Sequence, residues 1–298
     1  MVGVRRALLV VNPAARLAVA RLPIAQKAFR RAGVECEPML TTHPGHATVV
    51  AAEHGARFDA VFTLGGDGTA MEVVGALVGT GIPVGILPGG TGNLVARALG
   101  TPLNVARAVP ALITGSSREI DLGKLSDGRY FAFAAGIGID ATMVATTTAE
   151  AKRRYGVAAY VGTAIRASLA LEQFTLRATI DGVIHVLPAT AVLLANFGAV
   201  LQGLFTLGPA ISPYDGMLDL CVFSPADVRD AVSVGWRIMR KDFAPHPSMH
   251  FFKGRTFHLE TEPSRPMQAD GELLGTTPLG ASIAPLAACV LTAAPTRG

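Results

Sequence analysis

Through the first 120 residues, short apolar runs alternate with segments whose apolar positions recur at helical spacing. Arg6 to Val11 reads as a strand, Leu22 to Ala32 as a helix, Val34 to Leu40 as a strand and Ala47 to Gly55 as a helix. The same alternation continues with strand Ala60 to Leu64, helix Ala70 to Val78, strand Val84 to Leu87 and a helix beginning near Asn93. Strands that are apolar throughout are buried on both faces, and helices between them imply parallel connections. The pattern predicts a doubly wound parallel α/β domain over residues 1–122, with ligands bound at the carboxyl ends of its strands.

After about Ile120 the rhythm changes. Strands are predicted over Tyr130 to Ala135, Phe174 to Ile180, Ile184 to Leu187, Ala191 to Asn196, Leu218 to Val222, Met249 to Lys253 and Thr256 to Glu260. Asp181-Gly182 suits a tight hairpin turn. Helices are expected only at Ala159 to Leu171 and Ala226 to Met239. This is the signature of a second, antiparallel β-rich domain over residues 123–280. The C-terminal run Ala281 to Thr292 is expected to return to the first domain as a packing strand, so that 281–298 belongs with 1–122. No repeat or low-complexity linker interrupts the chain.

Half of the residues are apolar, enough for a sizeable core. The formal net charge of +4 is spread over a chain of which only 16% is charged, which argues against nucleic-acid binding and suits a phosphate ligand or an anionic membrane surface. Cys36, Cys221 and Cys289 are far apart and have no metal-ligand spacing, so they read as reduced thiols in the cytoplasm. Asn12-Pro13 cuts short the apolar run after Arg5 and Arg6, which excludes a signal-peptide core. Val73 to Ala96 and Val186 to Tyr214 lack charges, but glycine, proline and asparagine punctuate both. Buried strands joined by turns are expected there rather than membrane spans.

Gly65-Gly66-Asp67-Gly68-Thr69 directly follows an apolar strand and precedes a helix. Glycines let backbone approach phosphate oxygens, and a helix N-terminus offers free N–H donors and positive potential. Asp67 would repel a phosphate unless Mg2+ lay between them. Pro88-Gly89-Gly90-Thr91-Gly92-Asn93 repeats the arrangement after the next strand, so two glycine loops could line one nucleotide cleft. Either loop alone could also be an ordinary turn.

With these motifs the sequence resembles the diacylglycerol kinase catalytic-domain family, which includes sphingosine, ceramide and bacterial lipid kinases. Asn12-Pro13-Ala14-Ala15-Arg16 resembles the family's first nucleotide loop, and Thr41-Thr42-His43-Pro44-Gly45-His46-Ala47 its next motif. Glu72 follows the first glycine loop as the family pattern has it. Gly136-Ile137-Gly138-Ile139-Asp140-Ala141, Pro209-Ala210, Asp215-Gly216-Met217-Leu218-Asp219 and Asp270-Gly271-Glu272 match later signatures in order and spacing. The resemblance implies an NAD kinase-like nucleotide domain and an ATP-dependent kinase acting on the hydroxyl of diacylglycerol or a related lipid. By the same resemblance, ATP would contact Asn12, Pro13, Ala14, Ala15, Arg16, Thr41, Leu64, Gly65, Gly66, Asp67, Gly68, Thr69, Ala70, Gly90, Thr91 and Asn93. Glu272 would accept the proton of the lipid hydroxyl, and Asp67 would orient the metal-bound triphosphate. Asp215, with the backbone carbonyls of Ser212 and Met217, would hold Mg2+. A carboxylate within reach of a weakly nucleophilic hydroxyl is what such a transfer requires. The implied partner is a lipid substrate at the inner face of the membrane, with peripheral membrane contact; a homodimer stays open.

The sequence departs from the family pattern in places. Ala15-Arg16 stands where Ser-Gly is common, Phe133-Ala134-Ala135 where an asparagine is common, and only Gly198 and Gly203 remain of a glycine cluster after Asn196. These differences bear on the acceptor more than on ATP. Three other classes fit less well. Gly136-x-Gly138-x-x-Ala141 fits a dinucleotide fingerprint but lacks the acidic residue that should follow about twenty positions on. An NAD kinase shares the first glycine loop but not the PGGTGN and DGE marks. A non-catalytic lipid-binding pseudokinase would not need Asp67 and Glu272. No Walker loop is present, and Pro247 between His246 and His250 spoils a helical zinc pair. Trp236, Arg237, Arg240, Lys241, Phe243, Phe251, Phe252 and Lys253 mix cations with aromatics as membrane-interface surfaces do, though the same residues would also suit a core with solvated charges.

Overall fold

The computed structural model describes residues 3–138, 172–200 and 205–293. The chain divides into two compact units, Met1–Leu122 with Pro285–Gly298, and Gly123–Ala284. In the first unit the order is β1 (Arg6–Val11), α1 (Ala18–Arg31), β2 (Glu35–Leu40), α2 (His46–His54), β3 (Ala60–Gly65), α3 (Asp67–Ala76), β4 (Val84–Pro88), α4 (Leu94–Ala98) and α5 (Val105–Ile113). The strands lie side by side as β2-β1-β3-β4, every pair parallel. From Ala7 onward β1 is fully buried, as are β3 and β4, which is why these segments are apolar at successive positions. One core joins β1, β3 and β4 to α1 and α5, with Phe29 and Phe62 in edge contact at 4.9 Å between ring centroids. The other helix pair, α2 and α3, packs together as well.

The second unit begins within β5 (Ser116–Leu125) and continues through β6 (Tyr130–Phe131), β7 (Ala134–Ile137), β8 (Phe174–Ile180), β9 (Val183–Ala189), β10 (Ala191–Ala195), β11 (Ala199–Val200), β12 (Phe205–Thr206), β13 (Leu218–Phe223), α6 (Val228–Met239), β14 (Met249–Gly254), β15 (Thr256–Glu262), β16 (Pro266–Ala269) and β17 (Glu272–Thr276). The last strand, β18 (Leu279–Thr292), starts in this unit and ends in the first, where Val290 pairs parallel with Val84 of β4. An antiparallel sheet ordered β14-β13-β10-β7-β16-β17 shares a core with the antiparallel ladder of β9, β8, β15 and the start of β18. The fold is thus a parallel α/β unit joined to an antiparallel β unit. Among the described residues, no helix is long and apolar enough to cross a membrane.

Several boundaries differ from the sequence reading. Helix α1 starts a turn earlier than Leu22 and keeps Pro23 inside. The missing N–H of Pro23 deprives the carbonyl of Val19 of its partner, and Val19 is exposed, so water can replace it. Helix α3 starts at Asp67 rather than Ala70, because Gly66 caps it in extended conformation and an acid in the first turn suits the helix dipole. The strand expected over Tyr130 to Ala135 is two strands, broken at Ala132-Phe133 where side chains take over the backbone hydrogen bonds. Helix α6 begins at Val228, behind the Asp227 cap. Helix α5 and strands β5, β16 and β17 were not expected. The helix predicted over Ala159 to Leu171, and Ile139, Asp140, Ala141 and Gly203, lie outside the described residues.

Candidate active site

Because β1, β3 and β4 are parallel neighbours, their carboxyl ends come together at Val11, Gly65 and Pro88. The loops that follow are tied into one body. Asn12 N donates to Leu64 O at 3.1 Å, Asn12 Nδ2 donates to Thr69 Oγ1 at 2.9 Å, and Asn12 Oδ1 accepts from Ala14 N at 2.9 Å. Leu17 N donates to Gly89 O at 3.1 Å, and Arg21 Nη1 to Pro88 O at 2.6 Å. The two glycine loops touch backbone to backbone. Gly89 N donates to Gly65 O at 2.9 Å, and a Cβ on Gly89 would lie 2.7 Å from Gly65 N. At Gly90 a Cβ would lie 2.7 Å from the Cα of Gly66. Asn93, at φ +50°, folds back so that its Oδ1 accepts from Gly90 N and its Nδ2 donates to Gly90 O.

Asp67 crosses from the first glycine loop to the second. Its Oδ1 accepts from Val95 N at 3.0 Å, and the amides of Leu94 and Asn93 also face the carboxylate. Burial raises its pKa, against the opposing pull of these amides. The contacts therefore show Asp67 capping the start of α4 and fixing the spacing of the loops. Thr41 is buried at the end of β2, with its N–H on Val11 O at 2.8 Å. Pro13, Ala14, Arg16 and Thr91 are exposed on the rim, and Asn12 and Ala15 are half-buried.

Sequence reasoning gave Glu72 no role, yet its two carboxylate oxygens accept from Gly45 N and Ala47 N, both at 3.0 Å. This clamps the Thr41–Ala47 loop to α3. The signal was available as a single acid on the otherwise uncharged stretch from Gly68 to Ala96.

In the second unit, Asp270 and Gly271 (φ +47° and +90°) form the turn between β16 and β17. The Asp270 carboxylate accepts from Ala132 N, Phe133 N and Ala134 N at 2.7, 2.9 and 3.0 Å. Asn196, also unassigned by the sequence, donates from Nδ2 to Ala132 O at 2.8 Å. These two side chains hold the break between β6 and β7, and Glu272 projects beyond the turn as an exposed carboxylate. Arg129, whose pKa is raised chiefly by Asp127, also feels the charge of Glu272.

Asp215 accepts from Met217 N at 3.1 Å through Oδ1 and from Lys253 Nζ at 2.8 Å through Oδ2. Lys253 stands opposite Asp219 in the β13–β14 register, 3.3 Å from its Oδ2, and also reaches Ala210 O at 3.4 Å. Burial pushes Asp219 up to about 6, with Lys253 pulling it back. At 3.3 Å the two side chains form an ion pair. The cation position beside Asp215 is thus taken by an ammonium. No group of three or more His, Cys, Asp or Glu side chains that could hold a metal occurs among the described residues. As they stand, these residues fit lysine rather than Mg2+.

Known proteins resemble this arrangement along its whole length. The diacylglycerol kinase catalytic domain profile matches residues 6–125, and the YegS C-terminal NAD kinase beta sandwich-like domain profile matches residues 134–292. The chain belongs to this diacylglycerol kinase family of lipid kinases. A diacylglycerol kinase from Bacillus subtilis is 29% identical over 280 residues, covering 92% of each chain. An uncharacterised Synechocystis protein, sll0036, is 32% identical over 225 residues; the match covers 74% of this chain but only about half (51%) of that protein. A crystal structure from Bacillus anthracis, provisionally described as a diacylglycerol kinase, superposes with a TM-score of 0.79 at 26% identity, covering 99% of this chain and 97% of the other.

Two outcomes test this geometry. Gly89→Ala should destabilise the protein by about 1–3 kcal/mol in urea unfolding because the added methyl meets backbone, whereas Gly66→Ala, with nothing within 4 Å of its Cβ, should cost clearly less. Lys253→Ala should lower the Tm and make it rise on addition of Mg2+, while the wild-type Tm stays unresponsive; a wild-type rise would show that the metal displaces the lysine.

Proposed function

We propose that this protein transfers the γ-phosphate of ATP, bound as its magnesium complex, to the hydroxyl of diacylglycerol or a closely related lipid. The observation that carries the reading is the fusion of the loops after β1, β3 and β4 into one rigid rim. Phosphoryl transfer is catalysed largely by positioning, so a preformed phosphate cradle is the main requirement. Asn12, Pro13, Ala14, Ala15, Arg16 and Thr91 supply side chains and backbone at the exposed edge, and Arg16 adds a cation. Leu64, Gly65, Gly66, Gly68, Thr69, Ala70, Gly90 and Asn93 shape the floor at the N-terminus of α3, where the amides of a first helical turn have no partner within the helix. Thr41 backs the loop next to them. Asp67 serves as a positioning residue that sets the distance between the two glycine loops.

Glu272 is assigned the proton acceptor. Its carboxylate is exposed and is held at the mouth of a turn that Asp270 anchors. In the transfer, the lipid oxygen forms a bond to the γ-phosphorus as the bond from that phosphorus to ADP breaks. The hydroxyl proton passes to a Glu272 carboxylate oxygen. An enzyme with a membrane-borne acceptor works from the side that holds ATP, which places it at the cytoplasmic face of the membrane.

Glu272→Ala should lower lipid phosphorylation by about 10²–10⁴-fold while leaving ATP affinity within about threefold of wild type. Transfer from γ-labelled ATP to a panel of diacylglycerol, monoacylglycerol, sphingoid base and NAD is the direct assay. Label on diacylglycerol supports the reading, and label on NAD alone overturns it, as does an undiminished Glu272→Ala enzyme.

A further inference from the structure

Helix α6 carries an apolar stripe that stands exposed among the described residues. Its inner face rests on Ala231 and Val234. Val228, Val232 and Trp236 follow one another at i, i+4 and i+8, which places them in one row, and they are 55%, 48% and 55% exposed. Leaving three large apolar side chains in water along one helix is costly unless something covers them.

The border of the stripe is basic. Arg229, Arg240 and Lys241 are all exposed, and the Arg240 guanidinium lies 5.7 Å above the Trp236 ring. The acids of this helix are turned to other work: Asp227 caps the helix by accepting from Asp230 N, and Asp230 accepts from Ser248 Oγ and Ala226 N. Asp242, just beyond the helix, is engaged by Arg237. The outward face therefore combines an aliphatic row, a tryptophan and, among the described residues, unopposed arginines, the chemistry that lies in the headgroup layer of an anionic bilayer. An apolar groove of about 630 Å³ lined by Pro209, Phe243, Pro247, Phe251 and Phe252 belongs to the same block, since Arg237 Nη2 donates to Ala244 O at 2.9 Å.

We propose that the Val228–Val232–Trp236 face of α6 docks on an anionic lipid surface, with Arg229, Arg240 and Lys241 contacting lipid phosphates. A second copy of this chain fits less well. A two-fold contact through α6 would set arginines against arginines, and a twelve-residue helix offers far less than the roughly 800 Å² per partner that a stable interface buries. The inference takes its purpose from the lipid-kinase reading, yet its physical test does not depend on that reading.

Trp236 is the only tryptophan in the chain, so its fluorescence reports on this face alone. The full-length protein is titrated with vesicles of phosphatidylcholine and with vesicles of equal parts phosphatidylcholine and phosphatidylglycerol. Trp236 emission should move to shorter wavelength with the anionic vesicles only, and the shift should vanish in about 0.5 M NaCl. Arg229→Ser combined with Arg240→Ser should weaken vesicle binding by about fivefold per arginine, and Val232→Ser should weaken it further. Three results would overturn the proposal: no binding, binding with unchanged Trp236 emission, or an emission shift that follows protein concentration without vesicles. A separate arm measures phosphorylation of a short-chain, water-soluble diacylglycerol. The variants should match wild type there and fall behind on vesicle-borne acceptor; equal rates on both count against docking. If no protein phosphorylates the soluble acceptor, the kinase reading fails while the fluorescence result stands.

Discussion

The first unit depends on a contact between two stretches of backbone. Residues 65–66 and 89–90 pass so closely that a single Cβ on Gly89 would strike the amide of Gly65. Nothing larger than hydrogen can stand there, and the closeness lets Gly89 N bond to Gly65 O. Asp67 then spans the same gap with a carboxylate that accepts from the amides of the next helix. Burial makes its charge costly, and the amides offset part of that cost. The result is a loop pair whose shape is fixed before any ligand arrives, which is what a phosphate site needs.

The second unit uses carboxylates in the same manner. Asp270 satisfies three consecutive amides at the break between β6 and β7, so the acid of the Asp270-Gly271-Glu272 motif is an anchor and the glutamate is the group left exposed. Near Asp215 the outcome is different. Cross-strand register puts Lys253 beside both Asp215 and Asp219, so the carboxylate that the family resemblance had given to a metal, Asp215, is paired with a lysine.

Most of the parallel unit was legible because buried parallel strands are apolar at every position and the helices between them are punctuated by glycine and proline. The motif loops were legible because consecutive glycines at the end of a buried strand mark backbone that must pass close to another group. What escaped was tertiary. Glu72 looks like any exposed helix acid until it meets Gly45 and Ala47, about twenty-five residues earlier in the chain. The break within Tyr130 to Ala135 is invisible in an apolar run, because its cause is Asp270, 138 residues away from Ala132. Lys253 gave no sign of its partners for the same reason. Helix α5 was passed over although Asn104 caps it by accepting from Ala106 N, a local signal that the sequence did contain.

The central claim is that the loops after β1, β3 and β4 form the nucleotide site, and amide hydrogen exchange with and without ATP and Mg2+ tests it most directly. The account predicts slowed exchange in residues 12–17, 65–70 and 89–95, with the distant β8–β9 hairpin unchanged. Unaltered exchange in all three loops at saturating ATP, or protection confined to other segments, would contradict it.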